Sequence, residues 1–186
     1  MSKVHFGLCN VYIAKRVASG GSVSYDTPVR VPGAVSLNRT KRSEASDFFA
    51  DNILYFKGKK DSGEDLELVL ADVPRSILLQ YLNYLEANEG GIVSTDKIPD
   101  TAFALLFQVE TDDKARKFCY FNCTASEGDG ENKTTETANE PQTDTLNIAC
   151  AGEESGDYQI FKHVVESTDQ NYATFFSSVT IPTVSE

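Results

Sequence analysis

Leu66-Glu67-Leu68-Val69-Leu70-Ala71 decides the fold class. Leu66, Leu68 and Leu70 recur at every second residue, with Glu67, Val69 and Ala71 between them. A period of two puts alternate side chains on opposite faces of a pleated strand, so the stretch reads as a half-buried strand. After Asp72-Val73 the period changes. Ile77, Leu78, Tyr81, Leu82 and Leu85 recur at three and four residues, the spacing of one helix face. Pro74 suits a first helical turn, where a missing N–H costs nothing. Gly90-Gly91 offers the backbone freedom that ends a helix. The expectation is a strand followed by one helix that packs its apolar stripe on a sheet.

On the N-terminal side, Val4, Phe6 and Leu8 alternate with His5, Gly7 and Cys9. Val11 and Ile13 then shift phase by one, which predicts a bulge near Asn10. Ser19-Gly20-Gly21-Ser22 is a turn. Residues 26–50 read as an irregular basic loop: Pro28, Pro32 and Gly33 break regularity, and Arg39, Lys41 and Arg42 are the densest basic cluster in the chain. Phe48 and Phe49 look like its apolar anchor. Ile53 and Tyr55 continue a strand, and Lys59-Lys60-Asp61-Ser62-Gly63 reads as a hairpin turn.

On the C-terminal side, residues 102–111 and 115–124 are paired strands joined by a turn at Thr111-Asp112-Asp113-Lys114. Ala125–Thr145 carries six acidic residues and one lysine, too polar for a packed core, and reads as an acidic loop. Leu146–Cys150 is a strand, Gly152–Asp157 a turn and Tyr158–Val165 another strand. Phe175, Ser177, Val179 and Ile181 suggest a last one, closed by Pro182. The whole, residues 1–186, is expected to be a single mainly β domain, sandwich-like or barrel-like, with one flanking helix.

Charge is divided along the chain. Residues 1–60 hold ten Lys/Arg and four Asp/Glu, whereas residues 61–186 hold seven and twenty-four. Copies that set a basic patch against an acidic one would make a heterologous contact, which builds rings or filaments. The net charge of −11 argues against affinity for nucleic acid, since phosphate binding needs a basic surface. No run of 18 apolar residues exists, so no membrane-spanning helix is expected, and the N-terminus lacks the pattern of an export signal.

Catalytic signatures are lacking. The two histidines, His5 and His163, have no nucleophile motif beside them, and no phosphate-binding or dinucleotide glycine pattern occurs. Glu127-Gly128-Asp129-Gly130-Glu131-Asn132 is only a crude calcium loop, because its flanks read as strands rather than helices. Cys9, Cys119, Cys123 and Cys150 lack zinc spacing and read as free buried thiols. Strand alternation would put Cys119 and Cys123, four apart, on one face. No catalytic, cofactor-binding or metal-binding residue is expected, and an enzyme is not.

The opening Lys3-Val4-His5-Phe6-Gly7-Leu8-Cys9-Asn10-Val11-Tyr12 is followed by Tyr25-Asp26-Thr27-Pro28-Val29 and Val31-Pro32-Gly33-Ala34-Val35-Ser36-Leu37. Then come the charged stretch ending in Phe48-Phe49-Ala50-Asp51-Asn52 and the Tyr55-Phe56 strand. This order resembles the major tail proteins of long, non-contractile bacteriophage tails, most closely over residues 1–85. The resemblance implies a β-sandwich-like or barrel-like tail tube fold. It implies a structural virion protein, assembled in the bacterial host cytoplasm, whose hexameric rings stack into a tube for genome delivery. Its partners would be copies of itself and other tail proteins, such as the tape measure, terminator and distal tail proteins. DNA would pass through the lumen without specific binding, and no membrane is involved. Arg39, Lys41, Arg42, Phe48 and Phe49 are the residues expected at the contact between subunits. Two alternatives stay open: the inner tube of a contractile tail or secretion system, and a non-assembling β-sandwich binding module. The lack of any Trp weakens the last.

Overall fold

The computed structural model describes residues 5–50, 53–96, 101–111, 114–129 and 142–184. The strands are β1 (His5–Ser19), β2 (Ser22–Tyr25), β3 (Val29–Arg30), β4 (Ala34–Ala50) and β5 (Ile53–Leu70). Helix α1 (Arg75–Tyr81) follows, then β6 (Tyr84–Glu86), β7 (Ile92–Ser94), β8 (Phe103–Thr111), β9 (Lys117–Glu127) and β10 (Asp144–Cys150). The last are β11 (Glu153–Ser155), β12 (Tyr158–Ile160) and β13 (Lys162–Val165). The fold is mainly β, as expected, with this one helix among the described residues.

One antiparallel sheet carries the architecture, in the order β2-β1-β8-β9-β10-β5-β4. β13 and β10 lie end to end along one edge of β9: β13 pairs with Lys117–Tyr120, β10 with Cys123–Glu127. The sheet curls until β4 approaches β1, which encloses a barrel-like interior. Val11, Ile13, Leu66, Leu68, Leu70, Phe103, Leu105, Phe107, Tyr120, Leu146 and Ile148 fill it, and Ile77 and Tyr81 of α1 join the same cluster, Tyr81 edge-on to Phe103. Burial of each such side chain contributes about 1.5–3 kcal/mol, which makes this interior the main source of stability.

The opposite face is apolar only in part. Ala14, Ala104, Leu106, Cys119 and Phe121 form a patch there, covered by Ile160, Val165 and Phe175. Residues 166–177 cross it as successive turns, each with an amide bonded to the carbonyl three residues back. Hence the strand expected over Phe175–Ile181 is not formed. Lys117 of β9 fastens the turns to the sheet: its Nζ donates to the Tyr172 carbonyl at 2.6 Å and lies 3.9 Å from the Tyr172 ring centre. Tyr158–Val165 is likewise two strands, because Tyr158–Ile160 pairs with β11 and Lys162–Val165 with β9.

Two bulges set which residues face inward. Asn10, at φ 52°, shifts the β1 register, so Leu8 and then Val11 and Ile13 all reach the interior, as the phase change predicts. The second was not foreseen. Asn122, at φ 50°, inserts an extra residue in β9 and turns Cys123 inward while Cys119 stays on the outer patch. The two cysteines therefore lie on opposite faces of the sheet. The Tyr25 hydroxyl accepts from the Asn122 amide at 3.1 Å and donates to Glu153 Oε1 at 2.8 Å. Arg16 pairs with the same buried Glu153, so the bulge sits in a closed polar network.

The helix is shorter than expected. Leu82 is extended, and Tyr84–Glu86 turns back to pair with Ile92–Ser94, so Gly90-Gly91 serves a hairpin. Leu85, read as part of the helical stripe, is half exposed, and with no interior left to cover, nothing rewards a further turn.

Candidate assembly surface

The largest departure from expectation is at residues 26–50. From Ala34 onward they are not an irregular loop but a seventeen-residue strand, paired with β5 almost to its end. Apolar alternation misses it for a physical reason. β10 covers only Glu64–Leu70 of β5, so the rest of the β4–β5 hairpin leaves the sheet as a two-stranded arm. Among the described residues no third strand pairs with it, so no sheet interior imposes a period of two. Lys59–Gly63, read as the hairpin turn, lies within β5, and the β4–β5 pairing runs on to Ala50 opposite Ile53.

Gly63 marks where the arm departs. The register slips there, with Arg42 opposite Gly63 and Ser43 opposite Asp61. Gly63 has φ +118°, and a Cβ on it would meet the Cys150 carbonyl at 2.1 Å. Only glycine fits, because the end of β10 presses against the bulge.

The basic residues gather at the root of the arm but divide between its faces. Arg39 and Lys41 share one face by alternation, and Arg42 takes the other. The Arg39 guanidinium lies 5.1 Å from the centre of the Phe118 ring. Lys41 pairs with Asp61 at 2.6 Å, and that hydrogen bond raises its pKa. Arg42 donates to the Cys150 carbonyl at 3.0 Å and stands 3.3 Å from Asp65 in charge contact without hydrogen-bond geometry. Each cation thus already has a partner in its own chain. The side chains of Phe48 and Phe49 lie outside the described residues, as do residues 130–141 of the acidic segment.

Sequence reading missed the group behind this root. Glu64 is buried, accepts from the Tyr120 hydroxyl at 2.7 Å and pairs with Lys162. Burial, then the Glu64 bond, pushes the Tyr120 pKa far above its ordinary value. These residues come from β5, β9 and β13, so no local spacing could have signalled them. His163 faces the outer patch and meets Phe175 edge-on at 5.4 Å. The His5 side chain lies outside the described residues.

Next to the arm, the outer face of β4, β5, β9 and β10 is open and concave, with a volume of about 430 Å³. Asn38, Thr40, Asp65, Glu67, Ser126 and Asn147 line it, and no lysine or arginine is among its lining residues. Asn38 Nδ2 donates to Glu67 Oε2 at 3.4 Å across the strands. This is a sheet face of small neutral groups and carboxylates, unlike the apolar patch over β1, β8 and the start of β9. No protein-family model matches the chain, and a search of curated proteins finds no significant relative.

Proposed function

We propose that this chain is the subunit of a self-assembling tube, a structural virion protein of the major tail protein kind with no chemistry of its own. One observation carries the reading: β4 ends the sheet, is paired only with β5 among the described residues, and runs past the sheet as an arm. In a lone molecule, so long an open border invites indiscriminate pairing. In a ring of identical copies it is the joining element, through the heterologous contact that a ring requires. Nine residues of β4 beyond Lys41 give the arm a reach of about 30 Å, enough to bridge to a neighbouring ring.

The concave face supports the same function. A polyanion is repelled by Glu67, and Arg42 at the edge of this face is already engaged with Asp65. Such a face suits the lumen of a conduit for DNA. The basic residues at the arm root act in register and encounter more than in affinity, since their charges are already partly neutralised.

Electron microscopy and sedimentation of the purified protein, over a range of concentration and salt, test this. Rings or tubes whose growth weakens as salt rises are expected. A monomer at every concentration and ionic strength would overturn the proposal.

A further inference from the structure

Cys123 and Cys150 are 27 residues apart in sequence, yet the β9–β10 register sets them directly opposite each other. Two backbone bonds fix the phase of that ladder. The Gly128 amide donates to the Thr145 carbonyl at 2.8 Å, and the Ala151 amide to the Asn122 carbonyl at 3.0 Å. Hydrogen-bonded pairs therefore fall on even-numbered residues of β9, and Cys123–Cys150 is a non-hydrogen-bonded pair. In such a pair the Cα atoms are about 4.5 Å apart and the side chains come closest. That separation lies within the span a disulfide bridges.

Both side chains face the interior and are fully buried. Their Sγ atoms stand 2.6 Å apart. Both are free thiols in this structure, and either can donate to the other. The Asn122 bulge makes the pairing possible, because without it Cys123 would share the outer face with Cys119. Cys119, across the sheet, and Cys9, on β1, have no such opposite number.

We infer that Cys123 and Cys150 are a site of selective oxidation, closing a cross-strand disulfide inside the curl of the sheet. The oxidant is a small disulfide of the oxidised-glutathione class. One cysteine thiolate attacks it, forming a mixed disulfide and releasing one glutathione thiolate. The thiolate of the other cysteine then displaces the second glutathione. The protein loses two thiol protons and gains one S–S bond, while the oxidant's S–S bond breaks to give two thiols. Because both sulfurs are enclosed, exchange takes place while β9 and β10 are still open, before the interior closes. The bond then ties the two strands at their far end from residues 128–143, which connect them. Nothing in this chemistry depends on self-assembly.

The full chain, unfolded and refolded in a buffer of oxidised and reduced glutathione, is alkylated under denaturing conditions and digested. A peptide pair joined through Cys123 and Cys150, lost on reduction, is expected, with Cys9 and Cys119 alkylated. Oxidised protein should unfold at higher denaturant than reduced protein. Alkylation of protein purified without reductant gives a second reading that needs no refolding. A chain with Cys9→Ser and Cys119→Ser should form the same link, and adding Cys150→Ser should abolish it. Alkylation of all four cysteines in both preparations, or a link made through Cys9 or Cys119, would overturn the inference.

Discussion

The Tyr120 hydroxyl donates to Glu64 Oε2 across 2.7 Å, although 56 residues separate the two. The bond holds a buried carboxylate at the point where the β4–β5 arm leaves the sheet. Tyr120→Phe keeps the ring and removes the donor. A hydrogen bond to a charged group contributes about 1.5–3 kcal/mol, so a loss of that size is expected in denaturant unfolding. An unchanged midpoint would show that Lys162 alone satisfies Glu64.

Gly63 combines positive φ with the Cys150 carbonyl 2.1 Å from any added Cβ. Gly63→Ala meets both a strained backbone and a backbone atom that cannot swing away. Strain of this kind costs about 1–3 kcal/mol before the clash is counted. A stability equal to that of the parent would mean that β10 does not press on the bulge. Gly20→Ala is the control, since nothing lies within 4 Å of the Cβ position there, although its φ is also positive.

Alkaline pH should weaken the fold through buried phenols. Burial pushes the Tyr81 pKa up to about 12 and raises those of Tyr25 and Tyr120 as well. The unfolded value is about 10, so the unfolded chain sheds these protons first. Their contribution is complete below about pH 10 and is lost as pH rises toward the folded values, at about 1.4 kcal/mol per pH unit for each group. Lys117, whose pKa burial lowers, acts in the opposite sense below about pH 10. Denaturant midpoints measured with tyrosinate absorbance should fall together between about pH 10 and 12. A flat midpoint over that range contradicts the assignment.

Phe175 pins the turns of residues 166–177 to the outer patch, against His163 and Phe176. Phe175→Ala should cost about 3 kcal/mol and bare Leu106 and Phe121 to solvent. Increased binding of a hydrophobic dye by a chain of unchanged strand content is the expected signature. Retained stability with no added dye binding would place the anchor elsewhere.

Glu67 tests the conduit. Glu67→Lys puts a cation on a face that carries none among its lining residues, within the sheet rather than on the arm. Tubes should still form, but they should now retain DNA, with release as salt rises. Parental tubes should let it pass. If both retain DNA equally, this face does not line the lumen.

Interior strands were legible from sequence because burial on one face leaves a mark at period two. Leu66–Leu70 and Phe103–Phe107 show it plainly, and the phase change at Val11 gave away the Asn10 bulge. The arm could not be read this way, since among the described residues no third strand pairs with it to set an inner face. Of the expected contact residues, Arg39, Lys41 and Arg42 were visible as a charge cluster, but their partners Phe118, Asp61 and Cys150 were not.

Local composition by itself determined that this chain is a strand-rich, acidic domain with its positive charge set early. Tertiary structure alone decided where that charge points, that Cys123 turns inward to meet Cys150, and that Gly63 is the root of an arm. The physical reason is range. Periodicity records what a residue's own strand buries, whereas a bulge, a cross-strand pair or a buried carboxylate depends on residues brought near only by the curl of the sheet.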